Sequence, residues 1–409
     1  MQSTTNGEKL KVLVLAPHPF FINRGTPIDV LLVVRALSER GDTDVDMLVY
    51  PEGEDVDLPR VRINRVPFCG YIKNVRPGFS LKKLYIDFFM LFSTWKRVHQ
   101  KRYSLLHAGE ESVFIAMLMK WIYGIPYIYD IDSSIAQQLV EKNQRLKPLA
   151  QLFNWFEKKA MSKALACAPV CHALRELCEK NKAAKIVTLH DISQLRNPDL
   201  QPTGLLRKEI QKEDLAEESI ILLYCGNLER YQGIDLLVES LPHAISQEAN
   251  IELVIIGGVQ EDIERYRTKA EGLGVASNIH FLGPRPFEQL DSYLVEADIL
   301  VAPRIKGVNT PMKIFPYLHS GKPVLLTKLY THTQIVTDRE AFLAEPDAKS
   351  FGAAILQLAK DPDLRNALGA RGRSFVEKDH VYSAHKKRVD KLYNWVKMHL
   401  YPKTSEPEE

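Results

Sequence analysis

The chain has 409 residues, enough for two domains. Its 45% hydrophobic and 26% charged residues are those of an ordinary globular protein, and a net charge of +3 is too small for a nucleic-acid-binding signature. That balance leaves acidic small molecules or an anionic membrane surface as partners.

The opening MQSTTNGEKLK has no apolar leader, and no apolar run reaches the length of a bilayer. Both features predict a cytoplasmic protein. The five cysteines, Cys69, Cys167, Cys171, Cys178 and Cys225, are then reduced thiols. The spacing of Cys167, Cys171, His172 and Cys178 fits no standard zinc pattern, so packing roles and no metal are expected.

In chain order, KVLVLAP (11–17) reads as a strand, HPFFINRGTP as a loop, DVLLVVRALSERG as an amphipathic helix stopped by Gly41, and VDMLVY as a second strand. SLLHA, the helix ESVFIAMLMKWIYG, the strand PYIYDID and the helix SSIAQQLVEK follow. The alternation restarts at SIILLYCGN (219–227) and runs through DLLVESLPHAI, IELVIIGG, IERYRTKAEGLG, NIHFLG, FEQLDSYLVEA and DILVAP. Such alternation predicts parallel sheets covered on both faces. The polar stretch 189–219 reads as the linker. The resulting division is an N-terminal domain over 1–200, a second domain over 201–378, a helix over 379–400 that packs back, and a disordered tail over 401–409.

Candidate site residues sit in loops after strands, where open α/β sheets bind ligands. Arg24-Gly25-Thr26 precedes a helix, and Gly25 allows close backbone approach. Gly226-Asn227-Leu228-Glu229-Arg230-Tyr231-Gln232-Gly233 is a second glycine-bounded turn, and Gly257-Gly258 a third. His107 and Glu110 follow one strand, and Asp130 and Asp132 end another; each could orient a hydroxyl or move a proton, or be a satisfied interior or capping group. Arg304, Lys306 and Lys313 suit a diphosphate, or form a solvated basic loop. They flank GVNTPMKIFPYLHSGKPVLL (307–326), where Thr310 reads as a cap, Pro311 as a first helical residue, and Pro316 as a kink or a later start.

These segments resemble a family. YCGNLERYQGIDLLVESL, LVIIGG, IHFLGP, ADILVAP and, most specifically, NTPMKIFPYLHSGKPVLLT ahead of HTQIVTDREAFLAEPD are similar to the family 4 glycosyltransferases of GT-B fold. The resemblance covers most of the chain. It implies an α/β protein of two Rossmann-like doubly wound domains facing across a cleft, with the nucleotide-sugar donor on the C-terminal domain and the acceptor on the N-terminal one. It also implies transfer of a sugar, usually with retention and without a metal or tightly bound cofactor. Five positions depart from the family pattern. Asn227 and Gln232 stand for its Arg and Lys, Val308 and Pro316 for its two glutamates, and Asp132 for its histidine.

The expected function is transfer of a sugar from a UDP- or GDP-sugar to a glycan, lipid-linked or small-molecule acceptor in cell-surface glycan synthesis. A decayed binding or scaffold protein and a nucleotide-sugar epimerase are the alternatives. The donor would be held by Gly25, Thr26, Gly226, Asn227, Arg230, Gln232, Arg304, Lys306, Thr310 and Lys313, with Asp130, Asp132 and His107 as the catalytic candidates. Residues 73–103 place LYIDFFMLFSTW between basic clusters, which suits an interfacial helix on an anionic inner-membrane face or a core helix with solvated ends. The basic and aromatic stretch 145–163 adds to this. Nucleic acid is not expected as a partner.

Overall fold

The computed structural model describes residues 9–22, 25–67, 75, 80–135, 147–210, 218–247 and 250–402. Arg24, Cys69, most of the basic arm at 73–79, the greater part of the helix read at 133–142 and the tail 403–409 lie outside them. The chain divides into two compact units, one formed by residues up to His190 together with Ser383 onward, the other by Asp191–Tyr382. The first boundary falls before position 200, because the stretch read as a linker belongs to the second unit. Glu296 accepts from the backbone of Thr203, Leu205 and Leu206, and Asp291 accepts from the backbone of Arg196 and Asn197. Leu206 and Ile210 are then buried in that unit's core.

In the first unit, β1 (Leu10–Ala16), β2 (Thr43–Val49), β3 (Val61–Arg65), β4 (Leu105–Gly109), β5 (Tyr127–Ile131) and β6 (Ala166–Pro169) form one sheet. Their order is β3-β2-β1-β4-β5-β6, and every pair is parallel. Side chains alternate across a strand, so β1 feeds two cores. Leu13 and Leu15 join the core under α2 (Leu81–Gln100), α3 (Ser112–Tyr123), α4 (Lys147–Lys163) and α5 (His172–Lys180). Val12 and Val14 join the core under α1 (Thr26–Ser38).

The second unit holds β7 (Ile220–Cys225), β8 (Ile251–Ile256), β9 (Ile279–Gly283), β10 (Ile299–Ala302), β11 (Val324–Thr327) and β12 (Phe342–Ala344). Its order is β12-β11-β10-β7-β8-β9, again all parallel. Read from the other edge, this is the same order as the first sheet. Its helices are α6 (Leu205–Ile210), α7 (Ile234–Ile245), α8 (Gln260–Gly272), α9 (Leu290–Glu296), α10 (Ile314–His319), α11 (Tyr330–Thr333), α12 (Ala348–Lys360) and α13 (Pro362–Asp379). The last helix, α14 (Tyr382–Leu400), returns to the first unit, where Val389, Leu392, Tyr393 and Val396 complete the α1-side core.

A doubly wound sheet of this order opens a crevice where the winding reverses, at the carboxyl ends of its two central strands. Those are β1 and β4 in the first unit, and β7 and β10 in the second. The fold therefore nominates two loop clusters before any side chain is considered.

Candidate functional site

In the second unit, the turn after β7 is pinned by two tyrosines. The Tyr224 hydroxyl donates to the Asn227 carbonyl at 2.6 Å, and the Cys225 backbone N–H donates to the Tyr317 hydroxyl at 2.7 Å. Asn227, where the family resemblance expects Arg, instead accepts from the Glu229 backbone through its Oδ1 at 3.3 Å and shapes the turn. Gly233 closes the turn at φ 78°, and a Cβ there would collide with the Pro303 carbonyl oxygen after β10. The β7 turn and the β10 loop thus touch backbone to backbone.

Lys313 reaches into this junction. Its Nζ is fully buried with no hydrogen-bond partner among the described residues, 4.0 Å from the centre of the Tyr224 ring and against Gly226. Burial lowers its pKa to about 7; the Cys225 thiol opposes this and the charge of Arg304 adds to it. Thr310 Oγ1 is likewise buried and unpartnered. The cap expected of Thr310 is not made, because α10 begins only at Ile314. Pro316 is therefore in the first turn, where its missing N–H costs little and no kink is needed. Pro316 and Val308 stand where the resemblance expects carboxylates; Pro316 is buried, and the Val308 carbonyl accepts from Gln334 at 2.7 Å.

A third atom without a hydrogen-bond partner among the described residues is Nε2 of His332, in the HTQIVTDREAFLAEPD segment. Its Nδ1 lies 2.7 Å from the Thr327 carbonyl and must carry the proton there, leaving a bare lone pair on Nε2. Burial, then the charges of Arg304 and Lys313, lower its pKa to about 4 despite that bond. The cue in sequence was its place directly behind β11, beside hydroxyl and amide neighbours that tie down the β10 loop. Thr331, for example, donates to the Asn309 carbonyl at 2.5 Å.

Arg304 is built into that same loop. Its Nε and Nη1 donate to the Lys306 and Asn309 carbonyls at 2.8 and 3.3 Å, and its guanidinium lies 5.2 Å from the Tyr231 ring centre. Lys306, Asn227 and Arg230 are exposed, while Gln232 is buried. The structure thus brings Gly226, Arg304 and Lys313 together at the β7–β10 crevice and leaves Lys306 and Arg230 at its outside.

In the first unit, the catalytic candidates His107 and Asp130 are neighbours on β4 and β5. His107 Nε2 is 2.9 Å from Asp130 Oδ2, and its Nδ1 is 2.9 Å from the Tyr393 hydroxyl. Both residues are buried and both ring nitrogens are occupied, so this is an interior link to α14. Asp132, beyond β5, is half-buried and has partners of its own.

The β1–β4 crevice carries other groups. Gly25 begins α1 at φ 47°, and Thr26 Oγ1 donates to Glu110 Oε1 at 3.4 Å. Lys83 of α2 lies 3.3 Å from Glu110 and is paired also with Glu111, whose pKa burial, then the charge of Glu110, push up to about 8. His18 is buried with Nε2 unpartnered; its pKa is lowered by burial, against the pull of Glu110. His18, Lys83 and Glu111 were not singled out in the sequence; their signal was position, at the ends of β1 and β4 and the start of α2. Cys167, Cys171 and Cys178 are buried in the adjacent core.

Helix α2 has two apolar faces. Ile86, Met90 and Val98 point inward, while Leu81, Leu84, Tyr85, Phe88, Phe92 and Trp95 form an exposed stripe at helical spacing. Asp87 faces inward, 2.5 Å from the Tyr50 hydroxyl, and none of the exposed positions of α2 is acidic. No helix among the described residues is long and apolar enough to cross a membrane.

Two family models match. The Glycosyl transferase 4-like domain matches residues 24–190, and Glycosyl transferases group 1 matches residues 207–375, together well over half of the chain. The lipopolysaccharide glucosyltransferase WaaG of Escherichia coli is 27% identical over 187 residues, 44% of this chain and 48% of that enzyme, so the match spans about half of the relative's length. Sucrose-phosphate synthase from Thermosynechococcus elongatus superposes with a TM-score of 0.75 at 19% identity, covering 95% of this chain and 99% of the other. HepE from Anabaena, solved in complex with UDP-glucose, superposes with a TM-score of 0.70 at 14% identity, covering 94% and 100%. The chain belongs to the group 1, family 4-like glycosyltransferases of GT-B fold.

Proposed function

We propose that the protein moves a sugar from a nucleotide-diphosphate sugar to a hydroxyl acceptor, with the donor diphosphate at the β7–β10 crevice and Lys313 as its principal cation. The observation that carries this reading is the buried, unpartnered Lys313 amine at the Gly226 turn. An ammonium without a counter-ion inside a protein is costly, and an arriving diphosphate supplies that counter-ion. In transfer, the acceptor oxygen bonds to the anomeric carbon as the bond to the diphosphate breaks. The nucleoside diphosphate leaves with the electron pair, and the hydroxyl proton passes to a base or a phosphate oxygen. Charge grows on the leaving phosphate, where a fixed cation stabilises it most.

Lys313 thus takes the part that Asn227 and Gln232 cannot play. Thr310 and His332 are placed for a donor hydroxyl, the bare His332 nitrogen as acceptor. The uridine nucleotide in HepE favours a UDP-sugar donor, and the lipopolysaccharide named for WaaG favours a cell-surface glycan acceptor. The outward stripe of α2, free of acids, favours peripheral contact with the cytoplasmic face of a membrane through residues 81–100.

The test is thermal stability against a panel of nucleotide-sugars and free nucleoside diphosphates. A ligand at 100 times its dissociation constant adds about 2.7 kcal/mol to stability. A selective shift is expected, weakened at least about tenfold in affinity by Lys313→Met, since a charge-assisted hydrogen bond contributes roughly 1.5–3 kcal/mol. No shift with any nucleotide, or one indifferent to Lys313→Met, overturns this assignment.

A further inference from the structure

Helices α3 and α4 leave a groove between them that the donor chemistry does not use. Its cavity measures about 870 Å³ and is lined by Phe114, Met117, Leu118 and Trp121 on α3 and by Leu152, Phe153 and Phe156 on α4. That volume is within the roughly 300–1,000 Å³ of pockets that hold whole small molecules. Positions 114, 117, 118 and 121 share one helical face. At one end the Phe114 ring packs against α4, 6.2 Å from Phe153 and 6.0 Å from Phe156. At the other end Trp121, beside Lys120, is 82% exposed.

That end is cationic. Lys120 Nζ donates to the Lys163 carbonyl at 2.6 Å, and the charge of Lys163 acts directly on Lys120. Neither lysine pairs with a carboxylate among the described residues. The exposed positions of α4 from 151 onward include Lys158, Lys159 and Lys163 and no acid, since Glu157 is turned inward onto Ser134.

We propose that this groove takes one acyl chain of an anionic bilayer phospholipid, with the headgroup held by Lys120 and Lys163. Polarity gives the direction: hydrocarbon toward Phe114, phosphate at the lysines. Length agrees, because α4 from Leu152 to Lys163 rises ~16 Å, and one leaflet is half of a hydrocarbon core ~30 Å thick. The proposal deepens the membrane-facing reading of this unit and is independent of the donor site.

The experiment titrates the full chain with monomeric dodecyl phosphate, dodecyl maltoside and inorganic phosphate, reading intrinsic tryptophan fluorescence, and then with phosphatidylcholine vesicles with and without phosphatidylglycerol. Saturable binding of dodecyl phosphate, weaker binding of dodecyl maltoside and recruitment only to phosphatidylglycerol vesicles are expected. Met117→Trp should fill the groove and abolish chain binding. Leu152→Asn, at an exposed position that tolerates change, should weaken it as well. Lys120→Gln and Lys163→Gln should each weaken dodecyl phosphate about fivefold. Absence of saturation, equal effects of inorganic phosphate, or indifference to both Met117→Trp and Leu152→Asn overturns the proposal. So does a dimer in light scattering that Leu152→Asn dissolves, which would make a second copy the occupant. Nucleotide-induced thermal shifts on the same variants should be unchanged, so failure of the groove and failure of the donor site are read separately.

Discussion

If the β7–β10 crevice holds the donor as proposed, Lys313 makes that site a proton-linked one. The groups that act on it do not titrate near neutrality: burial pushes the Cys225 thiol up to about 12 and raises Tyr224 well above its usual range, while His332 sits at about 4. Arg304 is a permanent cation. The folded amine loses its proton near pH 7, whereas the unfolded one keeps it to the ordinary lysine range. The unfolded chain therefore binds more protons over that window, and this residue adds stability as pH rises from about 7. Lys313→Met should remove that rise and increase stability at pH 7 and below, as followed by denaturant unfolding across pH. A bound diphosphate works in the opposite direction by restoring the charge. Calorimetry above pH 7 in buffers of different ionisation enthalpy should show uptake of up to about one proton per donor bound. Affinity should fall by up to about tenfold per pH unit there.

At the level of elements, the site depends on two turns meeting. Gly233→Ala would force a Cβ onto the Pro303 carbonyl at a left-handed φ, so the β7 turn and the β10 loop could not both stay in place. A stability loss of about 2 kcal/mol or more is expected in thermal unfolding. Donor affinity should fall with it, whereas Gly274→Ala, with open space around it and a similar φ, should cost less. The turns themselves were legible, because glycine beside a helix start is a local signal. The parallel sheets were legible from the alternation of strands and helices, whereas their strand order was not. Pro316 was read as a helix problem because capping rules placed the helix start at Pro311; the chain instead makes tight turns through Pro311 and Met312 and enters α10 at Ile314. Helix α6 reads as linker because its apolar anchors, Leu205, Leu206 and Ile210, sit in a polar stretch and their partners lie far along the chain.

For the molecule as a whole, the first unit depends on the last helix. The His107–Tyr393 hydrogen bond joins residues 286 apart, a distance over which no local pattern in the sequence could announce it. His107 was legible as a polar residue at the end of a strand, and that alone does not distinguish a ligand-facing group from an interior one. Tyr393→Phe should cost roughly 1 kcal/mol, the net worth of an ordinary hydrogen bond. By hydrogen exchange the loss should appear in β1, β4 and β5, with the sheet of the second unit unchanged.

The return of α14 also orders events in time. The second unit lies wholly inside the sequence of the first. During synthesis at ~5–20 residues per second, the strands of the first unit wait roughly 10–40 s for the segment that covers Val12, Val14 and the other α1-side residues. Meanwhile the second unit emerges with every one of its strands contiguous in the sequence. The second unit of a nascent chain is therefore complete in sequence while the earlier sheet still lacks the cover of α14.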